Sequence, residues 1–187
     1  GDDQGYIDNF YKAFDSLSCK TSHINLFKRT INLEDHIKDQ DIFFIGGGNT
    51  KSMLAVWRDW GLDKLLYNAY KKGAILSGVS AGAICWFEQG ITDSWKEHQA
   101  IIPCLGFVKG TCCPHYDEEP ERIPFVKKIL EGNEIDECIA IEDSRESALS
   151  AHNAKISCIA FPGSFHEEDN YDFCSRIMLK LDTYIFN

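Results

Sequence analysis

The stretch Gly73-Ala74-Ile75-Leu76-Ser77-Gly78-Val79-Ser80-Ala81-Gly82-Ala83-Ile84-Cys85-Trp86-Phe87 decides how the rest of this chain is read. Its apolar run Ala74-Ile75-Leu76 predicts a buried strand, and Ala83 to Phe87 predicts a helix. Between them Gly78-Val79-Ser80-Ala81-Gly82 fits the pattern G-x-S-x-G. A serine lifted on a sharp strand-to-helix turn needs neighbours without a Cβ, so that strand and helix can pass closely. The turn also aims Oγ at solvent and leaves the Ala81 N–H at a helix N-terminus, where negative charge is favoured. Ser80 therefore reads as a nucleophile.

Upstream, Asp41-Ile42-Phe43-Phe44-Ile45 predicts a second apolar strand, which delivers the loop Gly46-Gly47-Gly48-Asn49-Thr50. Helical stretches follow through Met53, Leu54 and Trp57, and through Leu62, Leu65 and Leu66. Consecutive glycines let backbone N–H groups approach a ligand with no side chain in the way. The Lys-Ser/Thr ending of a phosphate-binding P-loop is absent, so the loop is expected to supply a second oxyanion donor, from Gly47 or Gly48, beside the Ala81 N–H. Asn49, at the end of the loop, is a candidate substrate contact.

Nearer the start, Tyr6, Phe10, Phe14 and Leu17 recur at helical spacing, His23 to Phe27 alternates like a strand, and Leu33 to Lys38 reads as a short helix. A parallel sheet normally opens with a strand, so the expectation is that a first strand is missing ahead of Gly1. Downstream, Glu88 to Trp95 is polar and turn-rich, Leu105 to Gly110 reads as a short strand, and Pro120 to Leu130 as a helix. Glu137 to Ile141 predicts a strand ending at Glu142, Ser147 to Ala151 and Ile156 to Phe161 predict further strands, and Phe173 to Phe186 reads as helical or mixed. The alternation predicts an α/β protein, a three-layer, mainly parallel doubly wound sheet in one domain over residues 1–187. Ligands sit beyond the carboxyl ends of such strands. The Gly47 loop, Ser80 and Glu142 are thus expected at one sheet edge.

The 187 residues, 44% of them hydrophobic, suffice for one domain with its own core and contain no apolar run of membrane-spanning length. No signal peptide is read. A net charge of −10 with no basic stripe argues against a nucleic-acid partner. Eight cysteines in a chain with a core read as buried thiols, and the adjacent Cys112-Cys113 lacks the companions of a metal site. No metal or cofactor is called for, the expected compartment is a reducing cytoplasm, and a homodimer is the base-rate assembly.

A serine hydroxyl needs a base, and a carboxylate usually orients that base. Of six histidines, His115 stands out because Pro114 restricts the loop that carries it, 35 positions after Ser80. Asp93, after the elbow helix, and Glu142, at the end of a strand, are both candidate orienting carboxylates, whereas Asp117 is too close to His115 to swing behind its ring. Cys85 is a rival nucleophile, and a non-catalytic binding protein is a rival class.

The ordered motifs Ile45-Gly46-Gly47-Gly48-Asn49-Thr50, Gly78-Val79-Ser80-Ala81-Gly82-Ala83 and Pro114-His115-Tyr116 resemble the peptidase E family of serine peptidases, which includes aspartyl dipeptidases and cyanophycinases. The stretch from Ser80 to Glu88 is most similar to the bacterial-type homologues. The resemblance implies a fold similar to the class I glutamine amidotransferases, with Ser80 as nucleophile, His115 as base and Glu142, ahead of Asp93, as third member. It also implies small peptides as substrates, and an arginine that binds an N-terminal aspartate, here matched by Arg122 within a shorter and more acidic segment containing Glu118, Glu119 and Glu121.

Overall fold

Strands β1 (Ile42–Ile45) and β2 (Ile75–Gly78) lie side by side in parallel, with Ile42 opposite Ile75 and Ile45 opposite Gly78. A parallel pair needs a crossover, and helices α3 (Thr50–Asp59) and α4 (Leu62–Lys71) provide it. The Asn49 side chain starts α3 by accepting the Ser52 N–H at 2.9 Å. Gly61, at φ 69°, turns the chain between the two helices. Leu54 and Trp57 of α3 and Leu62, Leu66 and Ala69 of α4 recur at helical spacing, and with Phe43 of β1 they form the core. Phe44 points the opposite way, as alternation along a strand requires, and Phe10 of helix α1 (Gln4–Phe14) stacks on it with ring centroids 6.2 Å apart. Helices therefore cover both faces of this sheet, and the α/β class with layered helices and parallel strands is as the sequence predicts.

The computed structural model describes residues 4–28, 32–116, 118–132, 139–142, 145–153, 157–160 and 170–177, apart from the side chains of residues 132, 141, 142, 147, 150 and 176. Two compact units divide the chain at Pro114, the first Gly1–Pro114 and the second His115–Asn187. The first also holds the short helix α2 (Leu33–Ile37), the single-turn helix α5 (Ala81–Ile84) and a second sheet in which β3 (Phe87–Thr92) lies between antiparallel β4 (Ala100–Pro103) and parallel β5 (Val108–Cys112). Trp86, just after α5, meets Trp57 of α3 and Phe107 ahead of β5, with centroids about 6 Å apart in each case.

The second unit holds helix α6 (Arg122–Gly132), strand β6 (Ile139–Glu142), helix α7 (Arg145–Asn153), and strands β7 (Ser157–Ala160) and β8 (Arg176–Ile177). Among the described residues its strands are parallel, in the order β6-β7-β8. Ala148 and Ala151 of α7 pack with Cys158 and Ala160 of β7 and with Tyr171. Among the described residues no helix is long and apolar enough to cross a membrane.

Four local readings are corrected. His23 to Phe27 is no strand, because the Asn25 side chain accepts the Phe27 N–H at 3.1 Å and bends the chain. The helix after Ser80 stops at Ile84, and Phe87 already opens β3. The supposed loop from Glu88 is strand: Glu88 accepts the Gly110 N–H at 2.9 Å, Gln89 accepts from the Thr111 hydroxyl at 3.2 Å, and Gly90, Ile91 and Thr92 are buried. Ser147 to Ala151 is helical, since Ala148 and Ala151 bury a face three residues apart rather than alternating. Most of the segment Phe173 to Phe186 lies outside the described residues.

Leu66 is 1% exposed and Leu17 55% exposed. Leu66→Ala is expected to cost about 2–5 kcal/mol of unfolding free energy, and Leu17→Ala less than about 0.5 kcal/mol, as read by chemical denaturation.

Candidate active site

The backbone of Ser80 is bent to φ 53° and ψ −115°, a conformation that an L side chain rarely adopts. What forces it there is contact between backbones. The carbonyl carbon and oxygen of Ile45 occupy the volume in which a Cβ on Gly82 would have to stand, and a Cβ on Gly78 would meet the Gly82 carbonyl. The end of β1 therefore lies directly against the first turn of α5. The Ile45 carbonyl also accepts the Val79 N–H at 3.0 Å, fixing the residue before the serine. After it, the Ser80 carbonyl accepts the N–H groups of Ala83 and Ile84 at 3.0 and 3.1 Å, so α5 starts at once. Ala81 and Ile84 are buried and anchor that turn. Such strain costs about 1–3 kcal/mol and persists only where surrounding structure imposes it.

Because β1 and β2 are parallel and in register, the glycine loop and Ser80 leave the sheet at the same edge, as expected. A Cβ placed on Gly47 would lie 3.5 Å from the Ser80 Cβ. Among the described residues no backbone carbonyl accepts from the N–H groups of Gly47, Gly48 or Ala81. Asn49 does structural work in addition to capping α3: its Nδ2 donates to the Ser94 carbonyl at 2.6 Å. The Ser94 hydroxyl in turn accepts the Thr50 N–H at 3.0 Å and lies 2.7 Å from the Thr92 hydroxyl. Asp93, exposed between Thr92 and Ser94, is thereby tied to the far end of the glycine loop.

In the second unit His115 also has a positive φ, 53°. Its Nδ1 lies 3.2 Å from Glu118 Oε2, a carboxylate that sequence reading passed over although it follows the histidine by three positions. Arg122, the expected specificity residue, has its side chain only 4% exposed and donates through Nε to Glu119 Oε2 at 2.6 Å. It begins α6, and the pair holds that helix start. Glu142 ends β6, and its side chain lies outside the described residues.

The rival nucleophile is unsuited to that role. Cys85 is 0% exposed, its Sγ donates to the Gly82 carbonyl at 3.2 Å, and burial pushes its thiol far above the ordinary range. Burial likewise pushes Cys104 up to about 11 and Cys112 up to about 12. Among the described residues no group of three or more histidine, cysteine, aspartate or glutamate side chains is placed to hold a metal ion.

The same substitution at two glycines separates strain from space. Gly82→Ala, which meets the Ile45 carbonyl, is expected to destabilise the protein by about 3 kcal/mol or more. Gly47→Ala meets only ordinary contacts at 3.5 Å and beyond, so its unfolding free energy is expected within about 1 kcal/mol of the parent.

The pattern of peptidase family S51 matches residues 1–159. The chain is also similar to the uncharacterized peptidase YgaJ of Bacillus subtilis (strain 168), 45% identical over 131 residues that cover 70% of this chain and 56% of that relative. It thus spans little more than half the length of the curated relative it matches. With a family pattern covering the glycine loop, the serine elbow and His115 alike, the chain belongs to peptidase family S51.

Proposed function

We propose that this protein is a serine-type peptidase that hydrolyses short peptides through an acyl-enzyme on Ser80. The observation that carries the reading is the strained elbow itself: φ 53° and ψ −115° at a serine lying against a glycine loop, at the carboxyl edge of a parallel strand pair. Strain of this kind is maintained where it positions a reacting group. In this proposal His115 takes the Ser80 proton and Oγ attacks the peptide carbonyl. Charge developing on the carbonyl oxygen is stabilised by the N–H groups of Ala81 and of Gly47 or Gly48. His115 then protonates the departing amine, and water repeats the sequence on the ester.

For the third member, the bond network through Asn49 and Ser94 supports Asp93, which it fixes beside the glycine loop. The position of Glu142 at the carboxyl end of a parallel strand supports Glu142. A substrate carboxylate would have to compete with Glu119 for Arg122, so the proposed substrates are short peptides with no requirement for an N-terminal aspartate. Asn49 contributes by holding two loops in place rather than by selecting substrate.

A fluorophosphonate is expected to label the parent protein at Ser80 and to leave Ser80→Ala unlabelled. On a dipeptide library the variant should lose about 10³-fold or more in kcat while remaining folded. A parent that takes no label would make the chain a binding protein on a peptidase fold. For the orienting carboxylate, Asp93→Asn and Glu142→Gln are compared by kcat: the true third member is expected to cost about 10²–10⁴-fold, and the other less than about threefold.

A further inference from the structure

Tyr6 is more than half exposed, at 55%, yet its ring has a defined seat. A Cβ on Gly46 would lie 3.6 Å from both Cδ1 and Cε1 of Tyr6, so one edge of the ring rests against the glycine loop. A Cβ on Gly47 would lie 3.7 Å from the Tyr6 hydroxyl oxygen and 3.5 Å from the Ser80 Cβ. One methyl-sized volume above Gly47 is thus bordered by both the phenol and the nucleophile. These groups all belong to the first unit. Tyr6 reaches this place because Phe10, one helical turn later on the same face of α1, is seated on Phe44 of β1.

The ring that secures α1 is that of Phe10, which is partly buried against Phe44, whereas Tyr6 stays exposed. An amphipathic ring with its body on backbone and its hydroxyl beside the serine suits contact with a ligand that is part apolar and part hydrogen-bonding. We infer that Tyr6 is a substrate-contacting residue: its ring flanks the space above Gly47 beside Ser80, and its hydroxyl hydrogen-bonds the backbone of a short peptide bound there. The inference rests on the peptidase reading above.

The test measures how a defined mixture of dipeptides protects Ser80 from a small fluorophosphonate, in the full chain and in Tyr6→Phe and Tyr6→Ala, with circular dichroism confirming the fold. Tyr6→Phe is expected to need about five- to tenfold more peptide for half protection, as loss of one neutral hydrogen bond implies, and Tyr6→Ala more still. The labelling rate without peptide should change less than the half-protection concentration does, because the probe carries no peptide main chain for the hydroxyl to bind. Equal half-protection in parent and both variants overturns the role of Tyr6 while leaving the serine peptidase standing. A fall in the unprotected labelling rate that matches the loss of protection also overturns it, since Tyr6 would then be setting the serine and not contacting peptide. A parent that is unlabelled, or labelled but never protected, removes the peptidase reading and this inference together.

Discussion

Everything around Ser80 depends on one exclusion: the Ile45 carbonyl stands where a side chain on Gly82 would be. Two backbones in such contact leave the intervening chain little choice of path, and the path available puts Ser80 in a conformation unfavourable to any residue with a Cβ. The same contact sets the glycine loop against the serine, because Gly46 and Gly47 follow Ile45 directly. Position and strain at the site thus share a cause. The strain is offset by the packing around it, with Ile84 and Cys85 at 1% and 0% exposure inside the turn and Leu54 and Leu66 at 1% each beneath the strand pair.

What was legible in the sequence follows from this. Glycines required by close approach are fixed in type, and short all-apolar runs before them mark strands, so β1, β2, the elbow and the loop could each be placed from a few adjacent letters. Strand order then put loop and serine at one edge. The misread elements are those where polar side chains serve the fold. Glu88 and Gln89 look like loop residues, yet they bond to β5, and Asn25 breaks an alternating segment by a local bond of its own. Ala148 and Ala151 carry so little hydrophobic signal that helix and strand spacing could not be told apart.

At the site, the residues that escaped reading act across long separations or through unremarkable neighbours. Ser94 lies 44 positions from Thr50 and binds it through a hydroxyl, and nothing in the letters around either announces the partnership. Tyr6, proposed above as a substrate contact, precedes the glycine loop by forty residues and reads in the sequence as one member of a helix stripe. Arg122 takes its expected recognition role from the family resemblance alone, and in the fold its Nε donates to Glu119. A carboxylate three positions away on a turn gives this buried guanidinium a charged partner.

Helix α1 is attached differently from the rest of the first unit. Its inner residues are only half-buried, whereas α3 and α4 each plant fully buried side chains in the core. Local opening free energies follow such differences in buried contact. Amide protons of α1 are therefore expected to exchange with solvent through local detachment, and those of α3 and α4 only through opening of the whole unit. On warming, α1 is expected to detach first, while the elbow, locked by backbone contact, keeps its place. Warming would thus separate the helix that carries Tyr6 from the Ser80 elbow before the core of this unit unfolds.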